Sequence, residues 1–374
     1  MVREIKMIDE KFLKTEERAI FALRSLYGTY GYLPYKMSKF EEYELYVQNK
    51  DFLVSDRIIT FNDTNGRLLA LKPDVTLSII KNGEDGEGVK QKVYYNENVY
   101  RVSENTHHYK EIMQSGLECV GDLDLYDFFE VISLAAESLS MISQDFILEI
   151  SHLDILSAFL DSVCPDAAFR NQALRYIAEK NPHDLQRLCE KYEVSEENCE
   201  KLSGFIYAYG KRDAVIGKLS EICTGVANDA LNELKMLSKM LDETPYKDKI
   251  LFDFSVVNDM SYYNGFVFKG FLNGICEGIL SGGQYDKLMA KMGRQSRAIG
   301  FALYLDLLEQ MPSKQNTYDV DVVLLYGDGD SKIDVARAVR SICEKGMTVS
   351  AQRSADPSVR CRQIIKVSEV DKIC

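Results

Sequence analysis

No apolar run in this sequence approaches the roughly 18 residues that a membrane-spanning helix requires. The opening stretch, MVREIKMIDEKFLKTEERAIF, lacks the paired charged and apolar regions of a secretory signal and reads as the start of an amphipathic helix. A cytoplasmic chain without a membrane role is expected. The nine cysteines include no CxxC pair and no regular spacing, which argues against a disulfide framework and fits a reducing compartment. Histidine is scarce: only His107, His108, His152 and His183 occur, without HxxxH spacing or a cysteine that completes a ligand shell. No metal and no cofactor are therefore expected. Positive charge is in deficit as well, with 45 Lys and Arg against 58 Asp and Glu, a formal net charge of −13. Nucleic-acid affinity comes largely from cations that neutralise phosphates, so the overall field opposes a tRNA or DNA partner.

What is present describes a globular protein. The chain is 46% hydrophobic and 28% charged, and 374 residues suffice for two or three domains. Up to about residue 150, helical and strand signals alternate. A helix is predicted over roughly Lys11 to Gly28, followed by the aromatic-rich and extended YGYLPYKMSKFEEYELY. Asn65-Gly66 between two alternating apolar runs marks a hairpin, and a short helix starts at Asp74-Val75-Thr76. QKVYYNENVYRV and EIMQSGLECVGD read as antiparallel strands joined by the polar loop SENTHHYK. Residues 153–245 differ, because LDILSAFLDSVC, AAFRNQALRYIAEK, PHDLQRLCEKYEV, SEENCEKLSGFIYAYGK and NDALNELKMLSKMLDET all space apolar residues at the helical period. Asn181 before Pro182, and Ser195, suit helix N-caps. Strands return with KILFDFSVVND and YYNGFVFKGFLNGICEGIL. After Pro312, YDVDVVLLYG, SKIDVARAVRSICEKG and MTVSAQRS predict a strand, a helix and a strand of a short α/β piece. The predicted division is a core over residues 1–312, with the helical insertion 153–245 inside it, and a C-terminal module over 313–374.

The segment LSGGQYDKLMAKMGRQSRAIGFALYLDLLEQM suggests a pocket wall. It reads as a strand, a Gly282-Gly283 turn and a long apolar helix, with glycines allowing a ligand close to the backbone. Between Ile299 and Leu308 that helix would offer only one charge, Asp306.

Four motifs, LLALKPDVT, VYYNENVYRV…YKEIMQSGLECVG, SYYNGFVFKGF and SGGQYDKL…AIGFALYLDLL, resemble in order and spacing the catalytic core of the histidyl-tRNA synthetases over roughly residues 5 to 312. The resemblance implies an α+β class II synthetase-like fold, an antiparallel sheet flanked by helices, and a homodimer. It also implies an amino-acid pocket. Asp74 and Glu118 would receive the ligand's ammonium, with Thr76 and Gln114 as neutral partners. Arg101, at the motif 2 arginine, would clamp a carboxylate or phosphate. Tyr262 and Tyr263 match the tyrosine pair around the imidazole, and Gly282 and Gly283 form the wall. Gln114 and Glu118, four apart on a strand, share a face, whereas neighbouring Tyr262 and Tyr263 point oppositely if they lie on one. Asp74, following Pro73, also suits a helix cap.

The departures from the family pattern concern nucleotide chemistry. The motif 3 arginine that holds ATP phosphates aligns with Leu307, after Asp306 where glutamate is usual. Asn258 stands for an arginine that assists adenylation, and Ser261 for an aspartate. Arginines of the motif 2 loop become His108 and Lys110, its adenine-stacking aromatic becomes Ile112, the motif 1 proline becomes Ser38, and Gln284 replaces an arginine. Losing one preorganised donor typically costs about 10²–10³ in rate. A synthetase core altered in this way resembles the regulatory subunits of short-form ATP phosphoribosyltransferase. That resemblance implies no catalytic activity of its own, a short catalytic subunit as partner in a hetero-octamer, L-histidine as effector in histidine biosynthesis, and no tRNA. The alternative is a divergent synthetase-like enzyme that activates an amino acid.

Overall fold

The computed structural model describes residues 13–49, 58–83, 86, 88–102, 107–223, 225, 227–257, 262–311 and 318–372. Asn258 and Ser261 lie outside them. The chain divides into two compact units, Met1–Met311 and Pro312–Cys374.

In the first unit, α1 (Thr15–Thr29) precedes β1 (Leu33–Pro34), β2 (Phe40–Glu42) and α2 (Tyr43–Gln48). The Asn65-Gly66 hairpin joins β3 (Thr60–Asn62) to β4 (Leu68–Leu71). Gly66 takes φ +79°, and the Asp63 carboxylate accepts from the Asn65 and Arg67 amides at 2.8 and 2.9 Å. Next come α3 (Thr76–Asn82) and the two long strands β5 (Lys90–Val102) and β6 (Tyr109–Gly121), then α4 (Leu125–Ile142) and β7 (Phe146–His152).

The helical stretch contains α5 (Leu153–Val163), α6 (Ala167–Ala178), α7 (Pro182–Lys191) and α8 (Glu196–Ile206), the short β8 (Tyr209–Gly210), then α9 (Arg212–Ile222) and α10 (Asn228–Leu241). Asn181 and Ser195 cap α7 and α8, accepting from Asp184 N at 3.1 Å and Asn198 N at 3.3 Å. Helix α9 is absent from the sequence expectation.

The unit closes with β9 (Ile250–Asp253), β10 (Asn264–Leu272), β11 (Leu280–Gln284), α11 (Asp286–Lys291), β12 (Arg297–Tyr304) and the 3₁₀ helix Leu305–Gln310. Two expectations are corrected here. Gly282-Gly283 sits inside β11 and makes no turn, and the predicted helix from Ile299 is a strand followed by a single 3₁₀ segment. The run AIGFALY alternates in size: Ala298, Gly300 and Ala302 face one side, while Ile299, Phe301 and Leu303 face the other and are buried in the main core. Size alternation carries the strand period where polarity does not.

Nine strands form one sheet in the order β1-β5-β6-β12-β11-β10-β7-β9-β8. It is antiparallel except for the β1–β5 and β7–β9 pairs. One face packs against α1, α4 and the helical stretch around Phe128, Leu156, Phe205, Phe268 and Phe301 in a single continuous core. The insertion is thus fused to the sheet, and its β8 even extends it by pairing with β9. Over the other face lie α2, α3, α11 and the small β2-β4-β3 sheet, sharing a second core that includes Tyr46, Leu77, Val120, Tyr285 and Leu288.

The second unit holds a three-stranded parallel sheet, β14-β13-β15, built from β13 (Val320–Leu325), β14 (Val349–Gln352) and β15 (Cys361–Lys366). Helix α12 (Lys332–Glu344) covers it through Val335, Ala338 and Ile342. Strand β15 is a further element absent from the sequence expectation.

Among the described residues no helix is long and apolar enough to cross a membrane. No cluster of three or more His, Cys, Asp or Glu suits a metal ion among them.

Candidate functional site

On the face away from the main core, strand pairing lays out two rows of residues. One row runs Val93, Glu118, Gly300, Gly283, Val267 across β5, β6, β12, β11 and β10. The next runs Tyr95, Gly116, Ala302, Ser281, Lys269 over the same strands. Five small residues therefore make a floor, and larger side chains lie down on it.

The glycines act differently from the expectation. A Cβ on Gly300 would overlap the Glu118 carboxylate, one on Gly116 would sit 2.5 Å from the Tyr95 ring, and one on Gly283 would sit 2.7 Å from Tyr263 Cδ1. These notches admit the protein's own polar side chains. Gly282 belongs to the opposite face, where a Cβ would meet Phe301 and Phe268. The structure therefore separates Gly282 from the other candidates, because neighbours in a strand point apart.

Glu118 is the centre of the arrangement. It is 2% exposed, and its two oxygens accept from Thr76 Oγ1 at 2.8 Å and from Tyr285 Oη at 2.6 Å. Burial pushes its carboxyl up to about 8, against the opposing pull of the two hydroxyl donors and with a further push from the Asp74 charge. Thr76 comes from the first turn of α3, so the helix start is fixed directly over the strand residue. Asp74, one residue before the N-cap Val75, satisfies a first-turn amide of that helix by accepting from Leu77 N at 2.9 Å. Burial raises its carboxyl too, while the Leu77 amide and the Arg101 guanidinium oppose the shift. The capping and ligand roles are compatible, since a carboxylate has about four acceptor positions and the cap uses only some of them.

Arg101 stands on β5 and donates through Nε to Pro73 O at 3.1 Å, which brings its charge beside Asp74. Gln114 is buried two residues before Gly116 on the Glu118 face, where it pairs in register with Glu97 and Tyr304.

Tyr262 and Tyr263 precede β10, which begins at Asn264, so the opposite-face argument does not apply to them. Their rings touch edge to face at 4.5 Å. Tyr262 shares a hydrogen bond with Thr76, and Tyr263 shares one with Ser281. Both thus belong to the Glu118 cluster.

Tyr95, Tyr285, Tyr304, Ser281 and Gly300 complete the wall and floor, and sequence reasoning missed them. Burial holds the Tyr95, Tyr262, Tyr263 and Tyr285 phenols far above their ordinary value, so each remains a neutral donor. The 3₁₀ segment after β12 places Leu307 half-buried against the main core, while Asp306 is raised by burial and opposed by nearby Lys110.

Two carboxyl groups, one guanidinium and a ring of phenols favour a small ligand that carries a cation and an anion. The aromatic faces add attraction for the cationic part.

The chain matches the histidyl-tRNA synthetase family over residues 5–308. It is 28% identical over 343 residues to an ATP phosphoribosyltransferase regulatory subunit from Clostridium kluyveri, covering 87% of this chain and 86% of that one. A solved ATP phosphoribosyltransferase regulatory subunit/histidyl-tRNA synthetase from Bacillus halodurans superposes with TM-score 0.80 at 24% identity, covering 98% of each chain. A chain of the ATP phosphoribosyl transferase (HisG:HisZ) complex from Thermotoga maritima gives TM-score 0.62 at 20% identity over 79% of this chain and 98% of its own. With a match that spans the whole sheet bearing the pocket, the chain belongs to the histidyl-tRNA synthetase family.

Proposed function

We propose that this chain is the regulatory subunit of a short-form ATP phosphoribosyltransferase, needed by a separate catalytic subunit and responsive to L-histidine. The observation that carries the reading is the run of relatives named as that subunit and covered over most of their length. The site supports it. Glu118, Asp74 and the tyrosines offer partners for an ammonium and an imidazole, and Arg101 offers one for a carboxylate. Beyond Tyr304, the 3₁₀ segment carries Leu307, next to Asp306, at the position where the synthetase resemblance would put a phosphate-binding arginine. The chain then works in the cytoplasm, as a homodimer within a hetero-octamer, and without tRNA. Histidine controls the complex only as far as it binds one conformation better than another.

Titration calorimetry with L-histidine and then ATP tests the pocket, and reconstitution with a short catalytic subunit tests the partnership. Micromolar histidine binding without ATP binding, together with phosphoribosyltransferase activity only in the mixture, is the expected result. The family match itself favours a second reading, a divergent amino-acid-activating enzyme. Histidine-dependent exchange of pyrophosphate into ATP by the chain alone would establish that instead.

A further inference from the structure

The floor of the cleft ends abruptly. Along β12 the residues on the Glu118 face are Ala298, Gly300, Ala302 and then Tyr304, three small side chains followed by one of the largest. Ala302 and its neighbour Ser281 are only half-buried, so the open part of the floor lies directly before Tyr304. Tyr304 pairs with buried Gln114, and Gln114 with Glu97, whose carboxylate is tied to the fully buried Lys72 at 2.5 Å. The Tyr304 phenol also lies within electrostatic reach of Tyr95 and Tyr263. A cross-strand row of three larger side chains, Glu97, Gln114 and Tyr304, thus follows the small-residue floor on β5, β6 and β12.

The polar groups give the cleft a direction. Glu118 stands two rows before Tyr304, and Arg101 enters from β5 beyond it, reaching back to Pro73. A zwitterion bound along this line puts its cationic groups over the small-residue floor by Glu118 and its carboxylate toward Arg101 and the Tyr304 row.

We propose that Tyr304 is the specificity wall of the site, confining it to amino acids whose carboxylate carries no substituent. The proposal rests on the reading of the cleft as an L-histidine site and adds the limit on what else it takes. Esters, and any acyl derivative extended through the carboxyl carbon, collide with the ring, while free L-histidine stops short of it. The effect is one of bulk, so the phenol hydroxyl is dispensable.

A series of L-histidine methyl, ethyl and benzyl esters, which share one charge and grow only in size, tests the wall by calorimetry on the full-length chain. Wild-type affinity is expected to fall by about tenfold or more from methyl to benzyl. Tyr304→Gly is expected to restore the benzyl ester by a similar factor relative to L-histidine, and Tyr304→Phe to leave the ratio as in wild type. A flat ester series in the wild type, with L-histidine bound normally, overturns the wall and leaves the histidine site standing. An unchanged ratio in a folded Tyr304→Gly chain does the same. Failure of L-histidine itself to bind, with or without the catalytic subunit, overturns both.

Discussion

The two faces of the nine-stranded sheet are made by the same strands, yet they obey different rules. Toward the helices, Phe268, Leu280, Phe301 and Leu303 are all 2% exposed or less and fill space with hydrocarbon. Toward the cleft, the alternate positions hold Gly116, Gly283, Gly300, Ser281 and Ala302, and polar side chains from elsewhere rest on them. One face is stabilised by the volume it fills, the other is shaped by volume left out. Damage to the first should therefore show in stability and damage to the second in binding.

The sharpest way to break that contrast is on the packed face. Phe268→Ala leaves a cavity beside Phe301, at a ring-centroid distance of 6.3 Å, and should cost about 3–5 kcal/mol in denaturant unfolding. Histidine affinity of the folded fraction should stay within a few-fold of wild type. A large loss of affinity with little loss of stability would erase the distinction.

On the cleft face, Glu118 ties binding to pH. Its carboxyl has an ordinary value of 4.5 and is pushed to about 8 by burial, so between those values the folded chain holds a proton that the unfolded chain has released. Stability from this group is present at low pH and is lost as pH rises through about 8, with a slope of up to about 1.4 kcal/mol per pH unit. Glu118→Gln should remove that slope from the unfolding free energy measured across the window, and should also abolish detectable histidine binding. An identical slope in the variant would place the titration elsewhere.

Gly300→Ala tests the floor itself. The added methyl overlaps the Glu118 carboxylate. Overpacking of this kind costs about 1–3 kcal/mol, and histidine affinity should drop by roughly 10–100-fold through the displaced hydrogen bonds. The smallest effect belongs far from both faces. Ser195→Ala removes the α8 cap and should cost about 1 kcal/mol by thermal unfolding, with histidine binding unchanged.

How much of this was legible before the structure depends on the kind of signal. Caps and turns are local, so Asn181, Ser195 and the Asn65-Gly66 hairpin could be read directly from neighbouring residues. The long strands β5 and β6 declared themselves by their β-branched and aromatic content. Strand β12 did not, because every residue from Ala298 to Leu303 is apolar or glycine and a continuous apolar run suits a helix equally well. Its period lies in side-chain size. The carboxylates, Thr76 and Arg101 came from motif resemblance, and the structure gathers them around α3 and β6. Tyr95, Tyr285 and Tyr304 remained hidden, since among 22 tyrosines nothing local marks that Tyr95 and Tyr285 meet at one buried acid or that Tyr304 lies in reach of Tyr95. Only cross-strand pairing reveals that.

The same alternation has a consequence for how the chain finds its fold. Sliding β12 by one position would drive Ile299 or Phe301 under Glu118 and turn Gly300 toward the helices, leaving a hole in the hydrocarbon core and no notch for the acid. A slip of a single residue is thus penalised on both sides of the sheet at once. The notch that seats a carboxylate in the finished protein also acts as a proofreading device while the strands are pairing.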